Sequence, residues 1–146
     1  GKLWRGRNGN AGEFTGLLPP AVRPRRPTLK LLLDMLKEDE EHHADIPAML
    51  AAYDPAWPAI DRWVETVAPQ MDMVLSAISA VADVDAVVVG GRLPADLARR
   101  LIDASVCYSV VVRGRDRAFP DLYPSEVGGD AAALGAAALT FDRHFF

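Results

Sequence analysis

A short β-branched run followed by two glycines and a proline-led helix constrains this chain most. Residues 85–94 read DAVVVGGRLP, and apolar residues then recur at helical spacing. Such a run is typical of a strand buried on both faces, and proline is favoured in the first turn of a helix. We therefore predict a strand, a glycine turn and a helix from about Ala95 to Ser105. In α/β proteins this unit binds ligands at the carboxyl end of its strand.

The two glycines of this turn admit two interpretations. Without side chains, Gly90 and Gly91 would let a ligand ring or a phosphate lie against the backbone. A tight turn from strand to helix would also use glycine. The pair alone does not decide between a ligand site and a turn.

The other periodic segments predict a largely helical chain. Residues 58–82 predict a long helix with one apolar stripe in the core, and Pro69 in its middle should kink or split it. Thr28 should cap a shorter helix that follows it, and residues 45–53 predict another. The stripe of the long helix consists of Ile60, Trp63, Val64, Val67, Met71, Val74, Leu75, Ile78 and Val81.

Further strands and a closing helix complete the expected elements. Residues 2–5, 108–112 and 122–127 predict short strands. Asp130 should cap a final helix whose body consists almost wholly of small residues. A face made of small residues suggests close packing of this helix against a sheet or a second helix.

Composition sets the broad class of protein. The chain has 146 residues, which suits one domain, and a net charge of −4, which argues against a broad nucleic-acid surface. Cys107 is the single cysteine, so an internal disulfide and a multi-cysteine zinc site are excluded. No apolar run is long enough to span a bilayer.

His42 and His43 are adjacent and do not share a helix face, so we predict no metal site there.

Residues 5–14, RGRNGNAGEF, concentrate special residues in one loop. Glycine permits positive φ and close backbone approach to a ligand. Asn10 offers donor and acceptor groups, and Glu13 could accept hydrogen bonds from a polyol. This density favours a functional loop over a plain connection between two elements.

The next segment, residues 17–27, is rich in proline and arginine. Proline removes backbone donors and restricts its neighbour, so the segment should be extended and lie on the surface. Its basic patch of Arg23, Arg25 and Arg26 could contact phosphate, although a solvated turn is the simpler interpretation.

Three stretches, taken in order, resemble the carboxyl-terminal part of the ROK family, named for repressors, open reading frames and kinases. They are residues 5–14 (RGRNGNAGEF), 87–93 (VVVGGRL) and 129–139 (GDAAALGAAAL). The resemblance implies an α/β fold of the actin-like ATPase, ribonuclease H-like kind, whose two lobes close on a sugar and a nucleotide. This chain, residues 1–146, would be a single domain, the carboxyl-terminal lobe, and a fragment of a longer protein.

The resemblance also implies a sugar site in the glycine loop. In the family this loop and its glutamate bind sugar hydroxyls. By position, Asn10 and Glu13 would contact the sugar, and Gly9 and Gly12 would shape the loop.

A nucleotide would lie near the second glycine motif if the protein is a kinase. The resemblance places Gly90 and Gly91 close to it, with Arg92 where a third glycine often stands. Arg92 could crowd the nucleotide or contact its phosphate. No aspartate here matches the family's catalytic base, and Asp83 and Asp85 are more simply turn residues. We therefore expect no catalytic residue in this chain, and ATP as a ligand only in the kinase case.

The zinc site common in the family is missing. Many members follow the glutamate with an apolar residue, glycine and histidine, but this chain has Phe14, Thr15 and Gly16. The region that matches the zinc-binding cysteine cluster reads RPRRP, residues 23–27. We therefore predict no metal and no cofactor, and packing must order the proline-rich segment instead.

Three functions remain in competition. The first is the sugar-sensing region of a ROK-type transcriptional regulator, the second is the carboxyl-terminal lobe of an ATP-dependent ROK sugar kinase, and the third is a degenerate structural or dimerisation module. For the regulator we expect a cytoplasmic homo-oligomer without membrane contact. It would bind DNA only through an amino-terminal domain outside this chain.

Overall fold

A computed structural model describes residues 6–106 and 118–145. The fold is mixed α/β, mostly helical, with one small sheet. Two short 3-10 helices, Phe14–Leu17 and Arg23–Arg25, precede the main elements. These are α1 Leu29–Glu38, α2 Ile46–Ala51, α3 Pro58–Ala82, β1 Ala86–Val89, α4 Ala95–Ala104, β2 Asp121–Pro124 and α5 Ala131–Phe145.

The main core lies where α1 and α4 pack against the first half of α3, and α2, which packs against α1, contributes Met49. Trp63 is fully buried, and its Nε1 donates a hydrogen bond to the carbonyl of Thr28 at 3.1 Å. This bond ties α3 to the start of α1. The buried side chains are Leu32, Leu33, Leu36, Met49, Ala59, Ile60, Trp63, Val64, Val67, Ala68, Leu97 and Leu101.

Helix starts follow the capping residues expected from the sequence. Thr28 Oγ1 accepts a hydrogen bond from the amide of Leu31 at 3.3 Å, and Asp45 Oδ1 accepts one from Ala48 at 2.8 Å. Each bond satisfies an amide that lacks a partner within the helix. The predictions of α1 and of a short helix after Asp45 are confirmed.

The long helix α3 continues through Pro69 without a break. Pro69 cannot donate to the preceding turn, but Val67, Ala68 and Leu75 are buried on both sides of it. Packing on both flanks holds the two halves in one helix, so the helix is not split. The predicted stripe ends early, because Val81 is 73% exposed.

In the part of the chain that the structure describes, the sheet consists of β1 and β2 in parallel, with Ala86 paired to Asp121 and Val89 to Pro124. Helix α4 packs against β2. Val88 is 65% exposed, so the prediction that this strand is buried on both faces is wrong. Burial alternates along β1: Ala86 and Val88 are exposed, whereas Val87 is partly buried and Val89 is buried, so only one face of the strand is covered.

Two other expectations are also wrong. Within the part of the chain that the structure describes, α5 is exposed along nearly its whole length, whereas close packing of its small face was expected. Residues 17–27 are not simply extended, because they include the 3-10 turn Arg23–Arg25. The strands expected at residues 2–5 and 108–112 lie outside the described residues, and the last strand is Asp121–Pro124 rather than 122–127.

Candidate functional site

The glycine loop adopts a conformation that needs glycine. Gly6, Gly9 and Gly12 all have positive φ, at 67°, 77° and 92°. Residues other than glycine rarely adopt positive φ, because their side chains clash with the backbone there. Around Gly9 and Gly12 there is open space, so the backbone angle and not crowding requires glycine at these positions.

This backbone presents two polar side chains to solvent. Asn10 and Glu13 are exposed, and the amide of Glu13 donates to the carbonyl of Asn10 at 3.2 Å. Within residues 6–106 and 118–145, neither side chain has a hydrogen-bond or ion-pair partner. Their donor and acceptor groups are therefore open to a polar ligand.

The base of the loop is anchored by Arg23. Its Nε donates to the carbonyl of Leu18 at 2.9 Å, and its Nη2 donates to that of Gly16 at 3.2 Å. Leu18 itself is buried. Gln70 of α3 is buried, and its side-chain amide is oriented so that both its oxygen and its nitrogen have suitable partners. In this orientation the amide nitrogen donates to the carbonyl of Arg25 at 3.2 Å. These contacts order the proline-rich segment by hydrogen bonds and packing.

The second glycine motif forms a crowded turn at the carboxyl end of β1. The amide of Ser125 donates to the carbonyl of Val89 at 2.8 Å. A Cβ on Gly90 would lie 2.3 Å from Cβ of Ser125, so Gly90 is required by this approach. Gly91 has a φ of 86°. The turn interpretation is thus sufficient to explain both glycines.

A cavity of about 310 Å³ nevertheless opens beside this turn. Its lining combines apolar residues, among them Trp63, Met71 and Val89, with the cationic residues Lys30 and Arg92. A mostly apolar lining with a few polar groups is typical of small-molecule sites. Gly90 and Arg92 line this cavity as well, so two of the three residues expected near a nucleotide meet at one cavity.

The structure does not bring the two glycine motifs together. Gly9, Asn10, Gly12 and Glu13 do not line the cavity beside Gly90. No pattern in the sequence marks Thr28, Lys30 and Trp63 as cavity residues. Thr28 and Lys30 lie at the start of α1 and Trp63 lies in α3, and only folding brings these two helices together.

Two polar side-chain atoms of α3 are buried without a hydrogen-bond partner, and among the described residues His43 Nε2 is a third such atom. Asp72 is 4% exposed, and its Oδ1 has no hydrogen-bond partner. Burial raises the pKa of Asp72, and a hydrogen bond from the backbone of Val106 opposes this effect. Ser76, one helical turn further, has a buried Oγ without a partner. Polar residues four apart within an apolar helix were the signal that could have identified them.

The ring of His43 packs against Trp57 at a centroid distance of 5.3 Å. Among the described residues, no group of three metal-ligating side chains is present.

Comparison with known proteins gives a match to part of a longer protein. The chain is 32% identical over 148 residues to the uncharacterized protein y4fQ of Sinorhizobium fredii (strain NBRC 101917 / NGR234). The match covers all of this chain and 37% of y4fQ, so the chain spans a little over a third of that relative. No protein-family profile matches the sequence, and no solved structure matches the fold.

In the part of the chain that the structure describes, no helix is both long and apolar enough to cross a bilayer.

Proposed function

We propose that this chain is the sugar-sensing region of a ROK-type transcriptional regulator and forms the carboxyl-terminal lobe of an actin-like fold. The observation that carries the proposal is the glycine loop. Three left-handed glycines hold Asn10 and Glu13 exposed and without intramolecular partners. That arrangement supports recognition of a ligand rich in hydroxyl groups.

The sugar would be bound by complementary hydrogen bonds. Its hydroxyl groups would donate to the carboxylate of Glu13, and the amide of Asn10 would both donate and accept. Hydrogen bonds to a charged group are worth about 1.5–3 kcal/mol each. Glu13 is therefore the chief contributor to affinity in this proposal.

Signalling would follow from the anchoring of the loop. The loop leads into Phe14–Leu17, and Arg23 and Gln70 connect this region to α3. A sugar that binds one arrangement of these elements more tightly would shift the population toward it. The longer protein would act as a homo-oligomer. By linkage, the same shift would change the affinity for DNA of a DNA-binding domain elsewhere in that protein.

Calorimetry of the intact protein against a panel of hexoses and amino sugars tests this proposal. We expect one sugar to bind, and Glu13→Ala to weaken it about 10- to 100-fold, as loss of a charged hydrogen bond predicts. Glu38→Ala, an exposed carboxylate at the end of α1, serves as the matched control and should leave binding unchanged. Absence of heat with every sugar would instead favour the degenerate structural module.

A second candidate, the carboxyl-terminal lobe of a ROK sugar kinase, is favoured by the cavity beside Gly90. Arg92, which lines this cavity, is suited to a phosphate of ATP. The kinase would transfer a phosphoryl group to a sugar hydroxyl with a base supplied by another part of the protein. The sequence of the longer protein separates the candidates. A helix-turn-helix without a phosphate loop and a catalytic aspartate would contradict the kinase.

A further inference from the structure

A second cavity lies next to the one beside Gly90. It has a volume of about 410 Å³, and its walls include Arg23, Arg26 and Asp34. Thr28 and Lys30 line both cavities, so the two cavities adjoin at the start of α1. We call the two adjoining cavities together the basic groove, because Arg23, Arg26, Lys30 and Arg92 are among their lining residues. We propose that the basic groove binds the phosphate group of a small anionic ligand, with Arg26 and Lys30 as its principal contacts.

The charge of the groove contrasts with that of the chain. Four cationic side chains line it, and Asp34 is the carboxylate among its lining residues. The chain as a whole has a net charge of −4. A concave surface lined by one sign of charge focuses the potential and raises the local concentration of counter-ions. The groove is thus set up to attract an anion against the overall charge.

The side chains of Arg26 and Arg92 are available for a ligand. Within the described ranges, 6–106 and 118–145, neither guanidinium has a hydrogen-bond or ion-pair partner. Lys30 forms an ion pair with Asp34, but both side chains are well exposed. Exposed pairs of this type contribute little to stability. Lys30 can therefore exchange its carboxylate for a ligand, whereas Arg23 remains engaged with the carbonyls of Leu18 and Gly16.

The shape of the groove favours a small phosphate ester over a polymer. Pro20 and Pro24 form part of the wall of the second cavity, and proline has a fixed φ that keeps such a wall rigid. Cavities of 300–1,000 Å³ are typical of small-molecule sites. A guanidinium binds phosphate through two parallel hydrogen bonds, which suits Arg26 to this group.

Arg23 connects the basic groove to the glycine loop. It lines the groove and also holds the carbonyl of Gly16, three residues after Glu13. The further step, that the phosphate belongs to the same sugar ligand, rests on the proposed function. The preference of the groove for phosphate does not rest on it.

Titration of the intact protein with inorganic phosphate, a hexose and the corresponding hexose 6-phosphate tests the proposal. We expect the phosphate ester to bind more tightly than the hexose, and Arg26→Gln and Lys30→Gln each to weaken the ester about tenfold or more. Arg25→Gln and Lys37→Gln are matched controls, because both are exposed and lie outside the groove lining. Circular dichroism of each variant verifies folding.

The outcomes separate the two proposals. Binding of inorganic phosphate that Arg26→Gln and Lys30→Gln abolish, without any binding of the hexose, would support the groove and contradict the sugar loop. Binding of the hexose with no gain from its phosphate would contradict the groove alone. Equal losses in the groove variants and in the controls would show only a general charge effect and would also overturn the proposal.

Discussion

Glycine is required at two places in this chain for different physical reasons. Gly9 and Gly12 have open space around them but positive φ, so their requirement is conformational. Gly90 lies against Ser125, so its requirement is one of space. At the scale of single residues, therefore, similar motifs have different tolerance to substitution.

Gly90→Ala should destabilise the protein by about 1–3 kcal/mol, the usual cost of inserting a methyl group into a filled position. The new Cβ would stand 2.3 Å from Cβ of Ser125. Chemical denaturation measures the change. Ser125→Gly should restore most of the loss in the double variant. Gly16→Ala, where nothing lies within 4 Å, should be close to neutral; an equal loss at Gly16 would contradict this account.

Asp72 should make stability depend on pH. Burial raises its pKa in the folded state above the unfolded value, so the folded protein holds the proton more tightly. The stability contributed by the protonated form is complete below the unfolded pKa and is lost as the pH rises through the folded pKa.

Asp72→Asn should therefore raise the Tm by a few degrees at pH 7 and change it little near pH 3.5. Thermal unfolding followed across this pH range measures the effect. Glu65→Gln, an exposed carboxylate on the same helix, is the control and should leave the profile unchanged. A lower Tm at pH 7 would show that the charge of Asp72 is needed in the fold.

At the scale of elements, side-chain hydrogen bonds join helices that are distant in sequence. The hydroxyl of Tyr53, two residues after α2, donates to Asp96 in the first turn of α4 at 2.7 Å. Burial and this bond raise the pKa of Tyr53, so it remains a donor at neutral pH. The contact fixes the end of α2 against the start of α4.

Tyr53→Phe should cost about 1.5 kcal/mol, because the bond has a charged acceptor. Urea denaturation measures this difference. Tyr123→Phe removes an exposed hydroxyl that contacts Asp121 at 3.3 Å and should cost almost nothing. Combining Tyr53→Phe with Asp96→Asn should give less than the sum of the single losses. Full additivity would mean that the two side chains do not interact.

At the scale of the whole molecule, the described residues separate into a packed body and an exposed helix. Leu97 of α4 is fully buried in the core, whereas Leu134 of α5 is 58% exposed. Removal of buried methylenes leaves a cavity, and removal of exposed ones does not. The stability of the body should thus be nearly independent of α5.

Leu97→Ala should destabilise the protein by about 2–5 kcal/mol, and Leu134→Ala should stay within about 0.5 kcal/mol. Both substitutions keep good helix formers, so the difference reports burial and not helix propensity. Equilibrium denaturation at two protein concentrations measures both. A large loss for Leu134→Ala that depends on concentration would mean that α5 is buried between copies.

Local patterns in the sequence predict the helices, their capping residues and the glycine loop well. Thr28 and Asp45 cap helices as expected, and the loop has the positive φ angles that its glycines allow. These features depend on a few neighbouring residues, whose sterics and hydrogen bonds are the same in any fold. The sequence by itself therefore determined where most elements begin and which residues can take left-handed angles.

Only the tertiary structure decided which faces are covered. β1 is buried on one face, α5 lies exposed, and α3 passes unbroken through Pro69. The basic groove likewise joins Arg26 and Lys30 to Arg92, which is more than sixty residues away. Burial and cavities depend on partners that are distant in the chain, and periodicity shows that a face is apolar without showing what meets it.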